Sequence, residues 1–317
     1  MRYSLLSRFR GTLLGSFVGE VLASVGSSRR VLGETAFILH QLGDSQLNSI
    51  CSDWSQIATC GLESLIRYGK LDLDDWVSHS GLTQPSLVSL KKTASSSETA
   101  VATLPVALFF HDDEVKLRQQ MIKAASVWQQ EGEASEGVLA MAFAIATFLT
   151  EKLDFTTLIP LTLSYLGSSQ TPLSQQLQRV QVLLEQSAGL DTVLTQLRRH
   201  SPRRGNRLVC SDTSIALAFY CFLSTPEDFR LCIMRAVRSN YQPQITAALA
   251  GALSGAYNSM AGLPVSWRLA VNQTHLGLHR QQLADRLLAV WSGAYDSSSL
   301  ERWQFTAVAA PQVIQPR

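Results

Sequence analysis

The sequence predicts an all-α protein, a single compact multi-helix globule, and three observations support this prediction. Apolar residues recur with helical spacing along most of the 317 residues. Alternating strand patterns bounded by turn residues are rare. Charged residues make up only 16% of the chain, against roughly 25% in an average soluble domain. The 46% of apolar residues can form a large core, which excludes disordered, collagen-like and disulfide-scaffolded proteins.

Two helices are expected in the first half of the chain. Residues 111–125 begin with His111, Asp112 and Asp113, and acidic residues are typical of a helix start. Residues 137–150 are apolar on every side and predict a fully buried helix.

Three helices are expected in the second half. Thr171 precedes Pro172 as an N-cap precedes a first helical residue, and Thr225 and Pro226 repeat that pattern. Residues 245–257 predict a further helix rich in small residues.

Three stretches of small, polar or charged residues predict loops, at 26–33, 91–100 and 198–207. The tail after Arg302 has no periodicity and is expected to be weakly ordered. The longest apolar run, residues 138–149, is shorter than the ~20 residues that cross a bilayer, so no membrane segment is expected. Five cysteines without a CxxC pair indicate reduced thiols and a cytoplasmic location.

A small-residue helix followed by a turn carries the most specific motif. Gly251-Ala252 and Gly255-Ala256 precede Leu263-Pro264 and Trp267. This order resembles the C-terminal signature of the ADP-ribosylglycohydrolase family. Other blocks agree in order: Arg8 to Gly15 with Gly19-Glu20, Ser52 to Ser55, Leu104-Pro105 and Thr213 to Ala218.

The resemblance implies an ADP-ribosylglycohydrolase-like all-helical domain over residues 1–268. Residues 269–317 are expected to form a C-terminal extension, a helix packed on the domain followed by the tail. Members of the family bind two divalent ions and hydrolyse the glycosidic bond between ADP-ribose and a modified side chain. Mg²⁺ and Mn²⁺ favour carboxylate and hydroxyl ligands.

The sequence departs from the family at the positions that hold these ions. Where the family has Thr-Asp-Asp-Thr, this chain has Ser52, Asp53, Trp54 and Ser55. Where the family has Asp-x-Asp-Thr, the matching residues are Gln242, Pro243, Gln244 and Ile245. Glu98 and Ala102 stand where the family's substrate loop has an Asn-Gly and an Arg.

Two hypotheses follow from these departures. The first is a non-catalytic binding or regulatory protein that needs no cofactor and acts on an unknown protein partner or small ligand. The alternative is an active ADP-ribosyl glycohydrolase with an altered Mg²⁺ or Mn²⁺ site, in which Asp53 or Glu20 acts as the base.

A third possibility is a scaffold that docks an acidic partner or an anion through five arginines. A solvated loop is the simpler interpretation of this cluster. Nucleic acid is an improbable partner because no aromatic residues are interleaved for stacking. His275 and His279, which share a helix face, are expected to be ordinary surface or packing residues. The five arginines are Arg198, Arg199, Arg203, Arg204 and Arg207.

Overall fold

The computed structural model describes residues 3–28, 44–79, 94–129, 136–151, 155–167, 171–199, 203–204, 207–208 and 211–294. Within these ranges the chain forms sixteen α-helices, one 3₁₀ turn and two very short strands, which confirms the predicted all-α class. The elements of the first half are α1 (Leu5–Ser28), α2 (Asp44–Ile50), α3 (Asp53–Tyr68), α4 (Leu73–His79), α5 (Ser96–Ala102), α6 (Leu104–Phe109), α7 (Glu114–Trp128) and α8 (Glu136–Leu149). Those of the second half are the 3₁₀ turn (Phe155–Thr157), α9 (Leu158–Leu166), α10 (Pro172–Glu185), α11 (Leu190–Arg199), β1 (Arg203–Arg204), β2 (Arg207–Leu208), α12 (Ser211–Leu223), α13 (Phe229–Arg238), α14 (Pro243–Gly262), α15 (Val265–Asn272) and α16 (His275–Trp291).

The centre of the molecule is the pair formed by α1 and α14, which come from opposite ends of the chain. It is the most extensive helix contact among the described elements. Gly11 lies against the backbone of Gly255, and Gly15 lies against the backbone of Gly251. A Cβ atom at any of these four positions would overlap a carbonyl of the opposite helix. The small residues therefore allow two backbones to approach more closely than ordinary side chains permit.

The remaining core helices surround this pair. Helices α8, α12 and α13 each pack against α14, while α16 packs against α1 and α3. Every residue of α8 except Glu136 and Phe143 is buried, which confirms the buried helix predicted over residues 137–150. Apolar residues on all sides are typical of a helix enclosed by others.

Two of the predicted helix starts are confirmed and one is wrong. The Thr171 hydroxyl caps α10 by accepting from the Ser174 N–H, and Asp113 caps α7 by accepting from the Lys116 N–H. Thr225, however, is no cap, because α13 begins only at Phe229.

The residues before α13 form a turn instead. The Thr225 hydroxyl donates to the carbonyl of Cys221 at the end of α12, and the Asp228 N–H donates to the Thr225 carbonyl. Asp228 is the N-cap, accepting from the Leu231 N–H. A Thr-Pro pair can therefore follow the end of a helix, as Thr225-Pro226 does, as well as open one, as Thr171-Pro172 does.

The loop predictions are correct only in part. Helix α1 continues through Ser28, and the rest of 26–33 lies outside the described residues. The serines of 91–100 mark the start of α5, where Ser95 and Glu98 form a capping box. In the third stretch α11 extends to Arg199, and β1 pairs with β2 as antiparallel strands. The tail after Arg302 lies outside the described residues.

In the described part of the chain, no helix combines the length and the apolar character that crossing a bilayer demands. Four cysteines are described there, and all of them are free thiols: Cys51, Cys60, Cys221 and Cys232.

Candidate functional site

The two motif segments that the sequence singles out meet at one turn of α1. Glu20 on α1 accepts a hydrogen bond from the Ser52 N–H, with 2.6 Å between Oε1 and N. Ser24, one turn further along, accepts from the Gln244 amide, with 2.6 Å between Nε2 and Oγ. The N-terminal ends of α3 and α14 are therefore held side by side, as the resemblance expects.

Glu20 is a buried carboxylate, with only 1% of its surface exposed. Its Oε1 atom accepts from Ser52, but its Oε2 atom has no hydrogen-bond partner. A carboxylate so placed costs free energy unless positive charge lies nearby.

The first turn of α3 holds Ser52, Asp53, Trp54 and Ser55. Ser52 is the N-cap and accepts from the Ser55 N–H. Asp53 is exposed in the first turn, where a negative charge stabilises the helix dipole. Asp53 thus has a structural role whether or not it binds anything.

Trp54 faces the protein interior and is 6% exposed. Its ring packs edge-on against Trp128 at 6.2 Å between centroids, and Trp128 in turn contacts Trp76 at 5.8 Å. Trp128 and Trp267 are also buried, so all three tryptophans serve packing. The indole of Trp54 contributes to an aromatic cluster and offers no ligand atom.

Gln242 precedes α14 in a left-handed conformation, with φ 39° and ψ 58°. Pro243 follows at the first helical position, where its missing N–H costs nothing. The Gln242 side-chain oxygen accepts from the buried Ser214 hydroxyl at 2.6 Å. The amide therefore already has a partner within the protein.

Gln244 and Ile245 complete the second segment. The Gln244 side chain donates to Ser24, a bond that an ionised carboxylate could form only by accepting from the hydroxyl instead. Ile245 is partly buried and packs against the main core cluster.

Arg280 is the functional candidate that sequence reasoning missed. It lies on α16 and is 6% exposed. Its Nη2 atom donates to the Ser55 hydroxyl at 3.1 Å, and its guanidinium lies 4.9 Å from the centre of the Phe17 ring. A signal was present, because Arg280 shares one helix face with the buried Gly277, Ala284 and Leu287.

Cys51 lies beside both buried charges. Burial raises the pKa of its thiol to about 11. Arg280 acts to lower this pKa and Glu20 acts to raise it. One small volume at the start of α3 therefore contains a thiol, a carboxylate and a guanidinium.

The substrate-loop positions have structural partners. The Glu98 carboxylate accepts from the Ser95 N–H at 2.8 Å in the α5 capping box. Ala102 is fully buried in the main core cluster. Neither side chain is placed to bind an anion.

Only part of the predicted arginine cluster is described. Arg198 and Arg199 are exposed in the last turn of α11. The Arg198 guanidinium lies 5.4 Å from the Tyr241 ring centre, next to Gln242 in the chain. For Arg203, Arg204 and Arg207, the structure describes the backbone pairing alone. Docking through this cluster stays a prediction.

The two histidines of α16 stack at 6.1 Å between ring centres. His279 contacts Glu63 of α3, with 3.3 Å between Nε2 and Oε1. Among the described residues, no group of three or more His, Cys, Asp or Glu side chains could hold a metal ion.

A surface cavity of about 470 Å³ lies elsewhere, between α7, α8 and α9. Arg118, Phe143 and Tyr165 line it together with neighbouring residues, and none of the motif residues does. This cavity is therefore separate from the candidate site.

Comparison with known proteins agrees with the geometry. The sequence profile described as ADP-ribosylglycohydrolase matches residues 1–297. A solved structure described as an ADP-ribosylglycohydrolase-related protein complex has a TM-score of 0.62 and 19% identity; the alignment covers 90% of this chain and 99% of that one. No curated protein matches this chain. The profile match, which spans nearly the whole sequence, shows that the chain belongs to the ADP-ribosylglycohydrolase family.

Proposed function

We propose that this chain is an ADP-ribosylglycohydrolase-like protein that has lost metal-dependent hydrolysis and acts as a non-catalytic binding or regulatory protein. The observation that carries the proposal is that three of the motif residues are uncharged and are engaged with other side chains of the protein. Gln242 and Gln244 are amides bonded to Ser214 and Ser24, and Trp54 is an indole packed on Trp128.

These side chains do not fit the two divalent ions that the family implies. Mg²⁺ and Mn²⁺ require anionic oxygen ligands to balance their charge. A carboxylate 2 to 3 Å from a dication contributes on the order of 10 kcal/mol of gross Coulomb attraction at an effective dielectric of about 20. Three such groups are absent at Trp54, Gln242 and Gln244. Of the motif carboxylates Asp53 remains, and it is exposed.

The Gln242 oxygen is already hydrogen-bonded within the protein, and Gln244, which is held to Ser24 through its nitrogen, offers only a neutral oxygen. The Gln242 oxygen accepts from a hydroxyl that is itself buried, so a metal would compete with that hydrogen bond. The protein's own hydrogen bonds thus compete with a metal.

A regulatory or binding role remains available to the same fold, because a ligand or partner protein can be held without hydrolysis. The buried thiols of Cys51, Cys221 and Cys232 support a cytoplasmic location for this role.

The test is hydrolysis of ADP-ribosylated substrates. Peptides modified on arginine or on serine are incubated with the protein and Mn²⁺ between pH 5 and 9, and free ADP-ribose is measured. We expect no release above the protein-free rate, while an active family member run in parallel releases ADP-ribose. Release that disappears in Asp53→Ala or Glu20→Gln would overturn the proposal and establish the alternative, an active glycohydrolase with an altered site.

A further inference from the structure

Arg280 is a buried cation that forms no direct ion pair with a described carboxylate. Among the described residues, the only buried arginines are Arg8 and Arg280. Arg8 is paired with Glu151 at 2.6 Å. Arg280 contacts the Ser55 hydroxyl, the Phe17 ring and the Cys51 thiol, and its Nε atom has no partner in the described part of the chain. Burying such a charge is costly without an opposite charge nearby.

Glu20 is the matching anion. It is the only buried carboxylate of the described residues, and its Oε2 atom is likewise unpartnered. Glu20 holds the Ser52 N–H and Arg280 holds the Ser55 hydroxyl, while Ser52 and Ser55 are hydrogen-bonded to each other in one helical turn. The two charges therefore attach to the same turn of α3.

Cys51 lies near both charged groups. Glu20 and Arg280 move the pKa of its thiol in opposite directions, so both charges lie close to one sulfur atom. Phe17, under the guanidinium, is one turn from Glu20 on α1. These contacts place the Arg280 and Glu20 charges in one buried region, although the two side chains form no direct ion pair.

We propose that the Arg280 guanidinium takes the place of a metal ion, supplying from within the chain the positive charge that balances Glu20 at the start of α3. This inference rests on the proposed loss of the metal site and names what replaced it. Arg280 is a positioning residue in this account, since it fixes the motif turn through Ser55.

A double-mutant cycle on Glu20 and Arg280 tests the charge balance. Arg280→Ala leaves Glu20 uncompensated, and we expect Tm to fall by about 5 to 8 °C. In Glu20→Gln/Arg280→Ala both charges are gone, so Tm should recover at least half of that loss. Arg280→Lys, which keeps the charge, should lose less than half as much as Arg280→Ala.

Added Mn²⁺ tests whether the guanidinium fills a cation position. A site opened in Arg280→Ala should accept the ion, raising its Tm by about 3 to 5 °C at saturation. Wild type and Glu20→Gln/Arg280→Ala should show no Mn²⁺-dependent shift.

Three results would overturn the proposal. The first is additive losses in the cycle. The second is a Mn²⁺ shift that is absent from Arg280→Ala or shared by all the proteins. The third applies if Arg280→Ala does not fold. In that case a folded Glu20→Gln/Arg280→Ala protein supports the proposal. An unfolded double variant overturns it when Glu20→Gln alone is folded.

These readouts are separate from hydrolysis. ADP-ribose release by wild type would refute the proposed function and leave the coupling between Glu20 and Arg280 unchanged. Absence of coupling would refute this inference and leave the lack of hydrolysis unchanged.

Discussion

Two regions of this molecule differ in how far they keep the family's pattern. In the α1–α14 pair, Gly11 faces Gly255 and Gly15 faces Gly251, and the small-residue motif of the resemblance is complete. At the starts of α3 and α14, carboxylates of the resemblance are replaced by other side chains. Yet the first region positions the second, because Glu20 and Ser24 on α1 hold both segments.

The difference follows from what each position contacts. A Cβ at Gly255 would meet the backbone of Gly11, which cannot move without displacing a helix. A changed side chain at Gln242 or Trp54 meets other side chains and finds new partners among them. The fold therefore depends on the first region more than on the identity of the motif side chains.

The largest effect is expected from filling the helix pair. Gly255→Ala places a methyl group on the Gly11 carbonyl, so we expect a loss of more than about 5 kcal/mol in unfolding free energy, or no folded protein. Thermal or urea unfolding measures it. Gly189→Ala is the matched control, because nothing lies within 4 Å of its added Cβ. A Gly255→Ala protein as stable as the control would contradict the close approach of α1 and α14.

The next effect belongs to the motif region. Trp54→Ala removes a buried ring from contact with Trp128, and we expect a loss of about 3 to 5 kcal/mol in unfolding free energy. Trp54→Phe, which keeps an aromatic ring, should lose clearly less. If Trp54→Ala costs under about 1 kcal/mol in urea unfolding, the indole does not serve the core.

The pH dependence of the unfolding free energy compares the two regions, because each contains a buried thiol. Burial raises the pKa of Cys221, on α12 against α14, to about 12 and that of Cys51 to about 11. Stability from a raised pKa is complete below the pKa of an unfolded thiol, about 8.5, and is lost as pH rises toward the folded value.

From pH 8 to 10.5, wild type should therefore lose about 2 kcal/mol more unfolding free energy than Cys221→Ala does. Cys51→Ala should give a similar difference, because burial keeps both folded thiols mostly protonated at pH 10.5. Urea unfolding at both pH values measures this. Equal pH dependence in all three proteins would contradict the burial of the thiols.

The smallest effect is expected at the contact between α3 and α16. A hydrogen bond from His279 lowers the pKa of Glu63. Stability from a lowered pKa is present above the unfolded value, about 4.3, and is lost as pH falls through the folded value. Because both side chains are partly exposed, Glu63→Gln should cost less than about 1 kcal/mol at pH 7 and nothing at pH 3. A cost that is the same at both pH values would exclude the ionic contribution.

The sequence predicts the first region better than the second. The buried α8, the Thr171 cap and the small residues of α14 are all visible as local patterns. The pairing of α14 with α1 is not, because no local pattern shows which helix a small-residue face will meet. The serines at the start of α5 predict a loop because the same residue type serves turns and helix caps.

For the motif region, the sequence predicts which residues depart from the family but does not predict the buried positive charge of Arg280. The resemblance identifies Trp54, Gln242 and Gln244 as departures, and the structure adds their new partners. Arg280 lies outside every motif block, and its closeness to Glu20 depends on the packing of α16 across α1 and α3. Only tertiary structure brings such a pair together.

Metal binding by the wild-type protein tests the central claim most directly. Calorimetric titration with Mn²⁺ and with Mg²⁺, on protein first treated with a chelator, measures the stoichiometry and the affinity. We expect no stoichiometric binding at micromolar metal. One or two equivalents of tightly bound Mn²⁺ or Mg²⁺, lost in Asp53→Ala, would contradict the account.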